Sequence, residues 1–202
     1  MKTYKFIASA LIFVFLTGSC SVFPRAKKKN TAKAPQSQPA KTQPLKDPGV
    51  KARNIYALFT QKNPRLEPSS AGKYAEYVIE AAGKFGQDPY VIAAIIVHES
   101  TVNNKAVSKG GDYGLMQVRW KVHEKAIKQR FPKVKRANDM FDPRTNIMFG
   151  TEIFADGMKR SGNDTGKGLL RYSAGNTKLR DKVLATVKEL RTKENAQKKK
   201  GK

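Results

Sequence analysis

Glu99 is a carboxylate at the end of the most apolar stretch in the central part of the chain. The eight residues Tyr90–Val97 (YVIAAIIV) carry no charge, and His98 and Glu99 follow directly. A buried element therefore delivers this carboxyl to its polar end. At the edge of an apolar environment the charged form is disfavoured, so the pKa rises and the group can donate a proton. Protonation of a glycosidic oxygen needs such a group, and general acid catalysis contributes ~10²–10⁴ in rate. A solvated carboxylate at a helix end fits the same spacing, so this pattern alone makes Glu99 a candidate acid.

The other groups that could do chemistry are few. Asp112 follows Gly110-Gly111 and is the nearest candidate for a second carboxylate, although an Asp after two glycines is commonly a turn residue. His98 adjoins Glu99, but helical neighbours point ~100° apart. His123 lies in a polar stretch and is expected at the surface. One cysteine excludes a disulfide framework and a Cys-rich zinc site, and two histidines argue against a His-based metal site.

The elements that must position Glu99 read as helices. Tyr74, Val78, Ala81, Ala82 and Phe85 recur at helical spacing, with Ser70 available as N-cap and Gly86 as stop. Asp88-Pro89 restarts the chain as N-cap and N1 of the apolar helix, which should be surrounded by protein on most sides. Asp142-Pro143 opens another helix through Ile147, Gly150, Phe154 and Met158, with Gly162 as stop. Leu169–Ala174 and Lys178–Leu190 follow, the latter with Leu179, Val183, Val187 and Leu190 on one stripe. Residues 103–113, rich in Gly, Asn and Lys, suggest a loop or small hairpin beside a site. The expected fold class is mainly α, one globular domain at residues 69–190 with basic tails.

Before that domain, two lysines and the eleven-residue apolar run Phe6–Leu16 form a secretory signal pattern, too short to span ~30 Å of hydrocarbon. Leu16-Thr17-Gly18-Ser19-Cys20 resembles a bacterial lipobox, with Thr17 where Leu is commoner. The resemblance implies cleavage after residue 19 and lipidation of Cys20. Residues 20–68, rich in Lys, Pro, Gln, Ala and Thr, are expected to be a flexible linker, with Ile55, Tyr56, Leu58 and Phe59 as one short apolar cluster. Residues 191–202 are expected to be a solvated basic tail. The chain carries 40 Lys and Arg against 16 Asp and Glu, a formal charge of +24, which points to polyanionic partners. Export turns that expectation away from nucleic acid and toward anionic lipid headgroups or an anionic wall.

Four short motifs occur in order: Glu99-Ser100 followed by Asn103 and Ala106-Val107-Ser108; Gly114-Leu115-Met116-Gln117-Val118; Asp142-Pro143 with Asn146, Ile147 and Gly150; and Tyr172-Ser173-Ala174-Gly175. The succession, over about residues 70–190, resembles the soluble lytic transglycosylase domain, which is similar to goose-type lysozyme. The resemblance implies a lysozyme-like fold and cleavage of the β-1,4 bond between N-acetylmuramic acid and N-acetylglucosamine in peptidoglycan. It makes Glu99 the catalytic acid/base and Ser100 its neighbour at the site. Met116 and Gln117 become a strip lining the sugar groove, Tyr172 stands close to the carboxyl, and Asn146 takes a structural place. Gly114 would allow close backbone approach to substrate, and Gly175 a turn after a helix.

Three departures stand out: Asn103-Asn104 for the frequent Asn-Pro, Arg119-Trp120 for Met-Pro, and Arg171-Tyr172-Ser173 for Ala-Tyr-Asn. Trp120 is either a sugar platform or partly buried, with partial burial favoured. If no second carboxylate acts, the resemblance implies a lyase that needs no metal or organic cofactor: the muramic 2-acetamido group supports the reaction centre and the C6 hydroxyl closes a 1,6-anhydro ring. The alternatives are a muramidase using Asp112 to position water and a catalytically weak wall-binding protein. Expected partners are peptidoglycan strands, a membrane through Cys20 and cell-envelope proteins, on the periplasmic side of the outer membrane or soluble in the periplasm.

Overall fold

A computed structural model describes residues 49–200. Seven α-helices and one short hairpin make up the described fold: α1 Val50–Lys62, α2 Pro68–Phe85, α3 Pro89–Ser100, β1 Asp112–Tyr113, β2 Val118–Arg119, α4 Trp120–Arg130, α5 Pro143–Lys159, α6 Thr165–Tyr172 and α7 Thr177–Lys200. A 3-10 turn at Ala137–Phe141 leads into α5. The mainly α, lysozyme-like class expected from the sequence holds.

The apolar helix α3 is the centre. Every residue from Tyr90 to Val97 is buried, with α1, α2 and α7 packed around it. Asp88 caps its start by accepting the Tyr90 N–H at 2.9 Å, and Pro89 occupies the first turn, where its missing N–H costs nothing. Asp142 does the same for α5, accepting the Thr145 N–H at 2.8 Å. The start of α2 differs from expectation: Pro68 sets the first turn and Ser70 lies inside it, while Gly86 ends the helix at φ 63° as its αL residue. The last turn of α5 ends at Lys159, ahead of Gly162. Helix α6 begins at Thr165, four residues earlier than its apolar residues indicate, because Asp164 caps it through the Lys167 N–H.

Two boundaries are corrected. Residues 50–62 form a helix where a linker was expected: Ile55, Leu58 and Phe59 follow i, i+3, i+4 spacing and lie buried against the core. Of the rest of the expected linker, residues 20–48 lie outside the described residues, Cys20 among them, as does the signal pattern, and residues 63–67 form the turn between α1 and α2. Residues 191–200 extend α7, so the expected tail is helical, while from 191 to 199 it is exposed as expected at every residue but Glu194. Their docking is polar. Asn54 and Gln197 exchange side-chain amide hydrogen bonds at 3.0 and 3.1 Å, and Asn54 also donates to the Tyr90 hydroxyl at 3.2 Å. Arg191 reaches Asp88 at 2.6 Å, and buried Glu194 pairs with Lys198 at 2.8 Å. Among the described residues no helix is long and apolar enough to cross a membrane.

Candidate active site

The chain turns sharply as soon as α3 has delivered Glu99. Thr101 (φ 52°) and Val102 (φ 57°) both take left-handed conformations, which cost ~1–2 kcal/mol per non-glycine residue. Burial of the Val102 side chain, and the Asn63 side-chain amide donating to the Val102 carbonyl at 3.3 Å, offset that strain. Glu99 consequently sits on the last turn of a rigid element, at the wall of a cleft of about 380 Å³. Asp112, Gln117, His123, Arg171 and Tyr172 line the same cleft.

The environments of the two acids are opposed. Burial pushes the Glu99 carboxyl up to about 7, and the negative charge of Asp112 adds to the shift. Asp112 is held below its ordinary value, first by hydrogen bonds from Arg119 and further by Ser108. Arg119 Nε reaches Asp112 Oδ1 at 2.6 Å and Nη2 reaches Oδ2 at 3.1 Å, while the Ser108 hydroxyl donates to Oδ2 at 2.7 Å. The register explains this pairing, because Asp112 and Arg119 are directly opposite in the β1–β2 hairpin. One acid keeps its proton near neutrality, and the other is ionised with both oxygens engaged. Such a pair separates an acid role from a fixed negative charge.

Tyr172, at the end of α6, donates its hydroxyl to the Met116 carbonyl at 2.5 Å and packs edge-on against Phe154, with centroids 6.2 Å apart. Burial, with Glu99 and Asp112 nearby, raises its pKa well above the ordinary value, so the hydroxyl stays protonated. Tyr172→Phe leaves the ring and removes one hydrogen bond. The expected loss of stability is about 1 kcal/mol, read by denaturant unfolding.

The loop between β1 and β2 is organised from behind by Asn146, which is fully buried on α5. Its Oδ1 accepts the Met116 N–H at 2.8 Å, and its Nδ2 donates to the carbonyls of Tyr113 at 2.8 Å and Met140 at 3.0 Å. This fits the structural place expected for Asn146. Gly114 is corrected in role: at φ 77°, a Cβ there would meet Asn146 Nδ2 at 2.4 Å and the Met140 carbonyl at 2.6 Å. Its missing side chain makes room for Asn146 and not for substrate.

Met116 is corrected too. Its side chain is fully buried against Gly150 and Thr151, so it belongs to the core, and its contribution beside the site is the carbonyl that Tyr172 holds. Gln117 does face the cleft, at φ 48°, with its side-chain nitrogen donating to the carbonyls of Gly114 at 2.9 Å and Ala106 at 3.3 Å. The Ser100 hydroxyl is turned into its own helix, donating to the Ile96 carbonyl at 3.0 Å, and Ser100 is buried. A serine on a helix commonly spends its hydroxyl this way, which sequence proximity to Glu99 does not reveal. Ser173 lines the cleft and donates to the Leu169 carbonyl at 2.8 Å.

His98 contacts Thr186 of α7 at 2.9 Å, away from the cleft. Trp120 is half-buried, with Lys128 Nζ 5.7 Å from its ring, and lies outside the cleft lining. His123 differs from expectation. It lines the cleft, its ring meets Phe149 edge-on at 5.8 Å, and burial lowers its pKa. The signal missed was α4 itself, whose apolar residues Trp120, Val122, Ala126 and Ile127 are sparse among lysines. Arg171 and Asn176 are further lining residues that the motifs alone did not assign. Among the described residues, no group of three or more His, Cys, Asp or Glu side chains could hold a metal ion.

A membrane-bound lytic murein transglycosylase C from Salmonella arizonae is 36% identical over 108 residues, covering 51% of this chain and 29% of the relative. Proteins of the same name from Salmonella typhi and Salmonella typhimurium match with the same identity and coverage. The chain thus spans well under half the length of these relatives. A family model described as the transglycosylase SLT domain matches residues 76–195, from the middle of α2 to within the last turns of α7, and takes in the whole cleft. With Glu99, the β1–β2 hairpin and Tyr172 all inside that span, the chain belongs to the transglycosylase SLT domain family.

Proposed function

We propose that this domain is a peptidoglycan lytic transglycosylase that cleaves the N-acetylmuramic acid β-1,4 N-acetylglucosamine bond and leaves 1,6-anhydromuramic ends. The observation that carries the proposal is a carboxyl raised to about 7 beside a second carboxylate already engaged on both oxygens. Glu99 gives its proton to the glycosidic oxygen as the C1–O bond breaks. The muramic 2-acetamido group supports the positive charge that develops at C1. Glu99, now a carboxylate, takes the proton of the C6 hydroxyl, and O6 bonds to C1. The proton returns to its starting place and no water is consumed.

A muramidase needs a second carboxylate as nucleophile or water activator, ~5–9.5 Å from the acid. Asp112 is the nearest candidate, but its oxygens accept from Arg119 and Ser108, so it supplies a fixed charge. Asp112→Asn should therefore leave turnover within about tenfold, a far smaller loss than the ~10²–10⁴ of general acid catalysis. It should also move the alkaline limb of the pH–rate profile downward. The sign follows from the charge: Asp112 raises the Glu99 pKa, and removing it lets Glu99 ionise at lower pH. In the unaltered protein the rate should be sustained below about pH 7 and fall as pH rises through that value, because Glu99 must begin protonated. A loss of 10³-fold or more in Asp112→Asn would favour the hydrolase.

Export and anchoring complete the proposal. The lipobox-like Leu16–Cys20 and the relatives' printed name, membrane-bound, support a cell-envelope location with Cys20 as lipid anchor. Mass spectrometry of the mature N-terminal peptide should find an acylated Cys20, and an unmodified Cys20 there would contradict lipid anchoring.

A further inference from the structure

Two concavities adjoin along α6. Beside the Glu99 cleft lies a second hollow of about 380 Å³, and the two share Ile153, Arg171, Tyr172 and Ala174 as walls. The second continues toward Asp156 and Arg160. Three arginines line the combined groove, and two are neutralised within the protein. Arg119 holds Asp112 through two nitrogens, and Arg160 Nη2 meets Asp156 Oδ2 at 2.9 Å.

Arg171 differs from both. Its polar contact is Nε to the neutral Ser161 hydroxyl at 3.0 Å, and among the described residues no carboxylate lies within ion-pair distance of it. A guanidinium presents five N–H donors in a planar fork, so tethering Nε leaves the two terminal nitrogens as a forked donor. The tether also limits the side-chain freedom that binding would otherwise remove. A planar, forked cation in a groove matches a carboxylate better than a neutral hydroxyl or amide.

We infer that Arg171 is a substrate-binding residue that takes a carboxylate carried by the glycan strand, one wall away from the reacting bond. The inference rests on the peptidoglycan substrate proposed above. That polymer offers the carboxylate from two sources. One is the lactyl group of muramic acid once its peptide has been removed; the other is the acidic residues of the peptide while it is attached. Arg171 therefore makes the groove selective for anionic strands, through binding and not through the bond-breaking step.

The test uses full-length Glu99→Gln protein, which binds without turnover, and calorimetric titration with four soluble glycan strands. These carry intact peptides, or have the peptides removed by an amidase, and each is used with its carboxylates free or converted to neutral methylamides. Adding Arg171→Ala should weaken binding of a free-carboxylate strand about 5–10-fold, the range for a charge-assisted contact at a solvent-exposed groove. Arg171→Lys should recover part of the loss, since an ammonium lacks the fork. The methylamide strands should bind equally with and without Arg171→Ala. A loss confined to intact strands assigns the peptide, and one confined to stripped strands assigns the lactyl group. Equal loss on the methylamide strands, or no loss on any strand, overturns the inference. Failure of every strand to bind the Glu99→Gln protein would instead contradict the proposed substrate. Unchanged unfolding midpoints keep the comparison free of folding effects.

Discussion

Glu99→Gln should abolish cleavage of peptidoglycan, with a rate loss of at least ~10²–10⁴, while the protein stays folded. The amide has the volume of the carboxyl and keeps the wall of the cleft intact, but it neither gives a proton to the glycosidic oxygen nor takes one from the C6 hydroxyl. Both halves of the proposed cycle fail together. The same variant should be more stable than the parent at alkaline pH. Glu99 has a folded pKa of about 7 against an ordinary 4.5, so the folded state holds its proton more tightly than the unfolded chain. Below pH 4.5 both states are protonated and the substitution should be neutral. Between 4.5 and 7 the unfolded chain ionises first, and parent stability declines as pH rises. Above 7 the charged carboxyl sits in an apolar wall, at a cost of about 1–3 kcal/mol once solvent access to the cleft is considered. Unfolding midpoints of the two proteins, compared at pH 4 and pH 8, read that difference directly.

Asn146→Ala should be the most damaging substitution for folding, at about 3–5 kcal/mol. Three backbone groups lose their partner at once: the Met116 N–H and the carbonyls of Tyr113 and Met140. Water that enters the void left by the amide restores part of this, which keeps the loss below the sum of three unsatisfied groups. Asn146→Asp should not rescue, because a carboxylate accepts from Met116 but faces the other two carbonyls with negative charge. Denaturant unfolding measures both variants. Activity should fall with stability, since the hairpin that Asn146 holds carries Asp112 on its first strand and, in its loop, Gln117 and the carbonyl gripped by Tyr172.

The helix that delivers Glu99 was legible because it is so apolar: an uncharged run bounded by Asp88-Pro89 can only be buried, and its first polar end marks a site. Helix α1 was legible in part, since Ile55, Leu58 and Phe59 keep helical spacing inside a basic stretch. Composition outweighed that spacing. The last turns of α7 were not legible, because they dock through Asn54, Gln197 and an Arg191–Asp88 pair, and polar partners leave no periodicity. Motif resemblance pointed to residues at or beside the site but not to the atoms used. Met116 contributes its carbonyl, Ser100 turns its hydroxyl into α3, and Gly114 clears space for Asn146. Such differences depend on which way a side chain leaves the backbone, and that follows from packing across elements distant in sequence. Arg171 shows the converse, since a departure from the usual motif is where the groove carries an unneutralised cation.

The basic surplus has a place in this account as well. Residues 178–202 carry ten basic residues against three acidic ones, yet much of this segment is helix packed on the domain. Up to residue 199 its charge is therefore carried along a helix of the folded domain, where attraction to an anionic wall or lipid would be screened by salt.

The most direct test is mass spectrometry of the soluble products after the purified protein digests intact sacculi. A lyase that uses Glu99 as acid and then base predicts 1,6-anhydromuramic ends, with no solvent oxygen incorporated in ¹⁸O-water. Reducing muramic ends bearing ¹⁸O would contradict it and make the protein a hydrolase of the same fold.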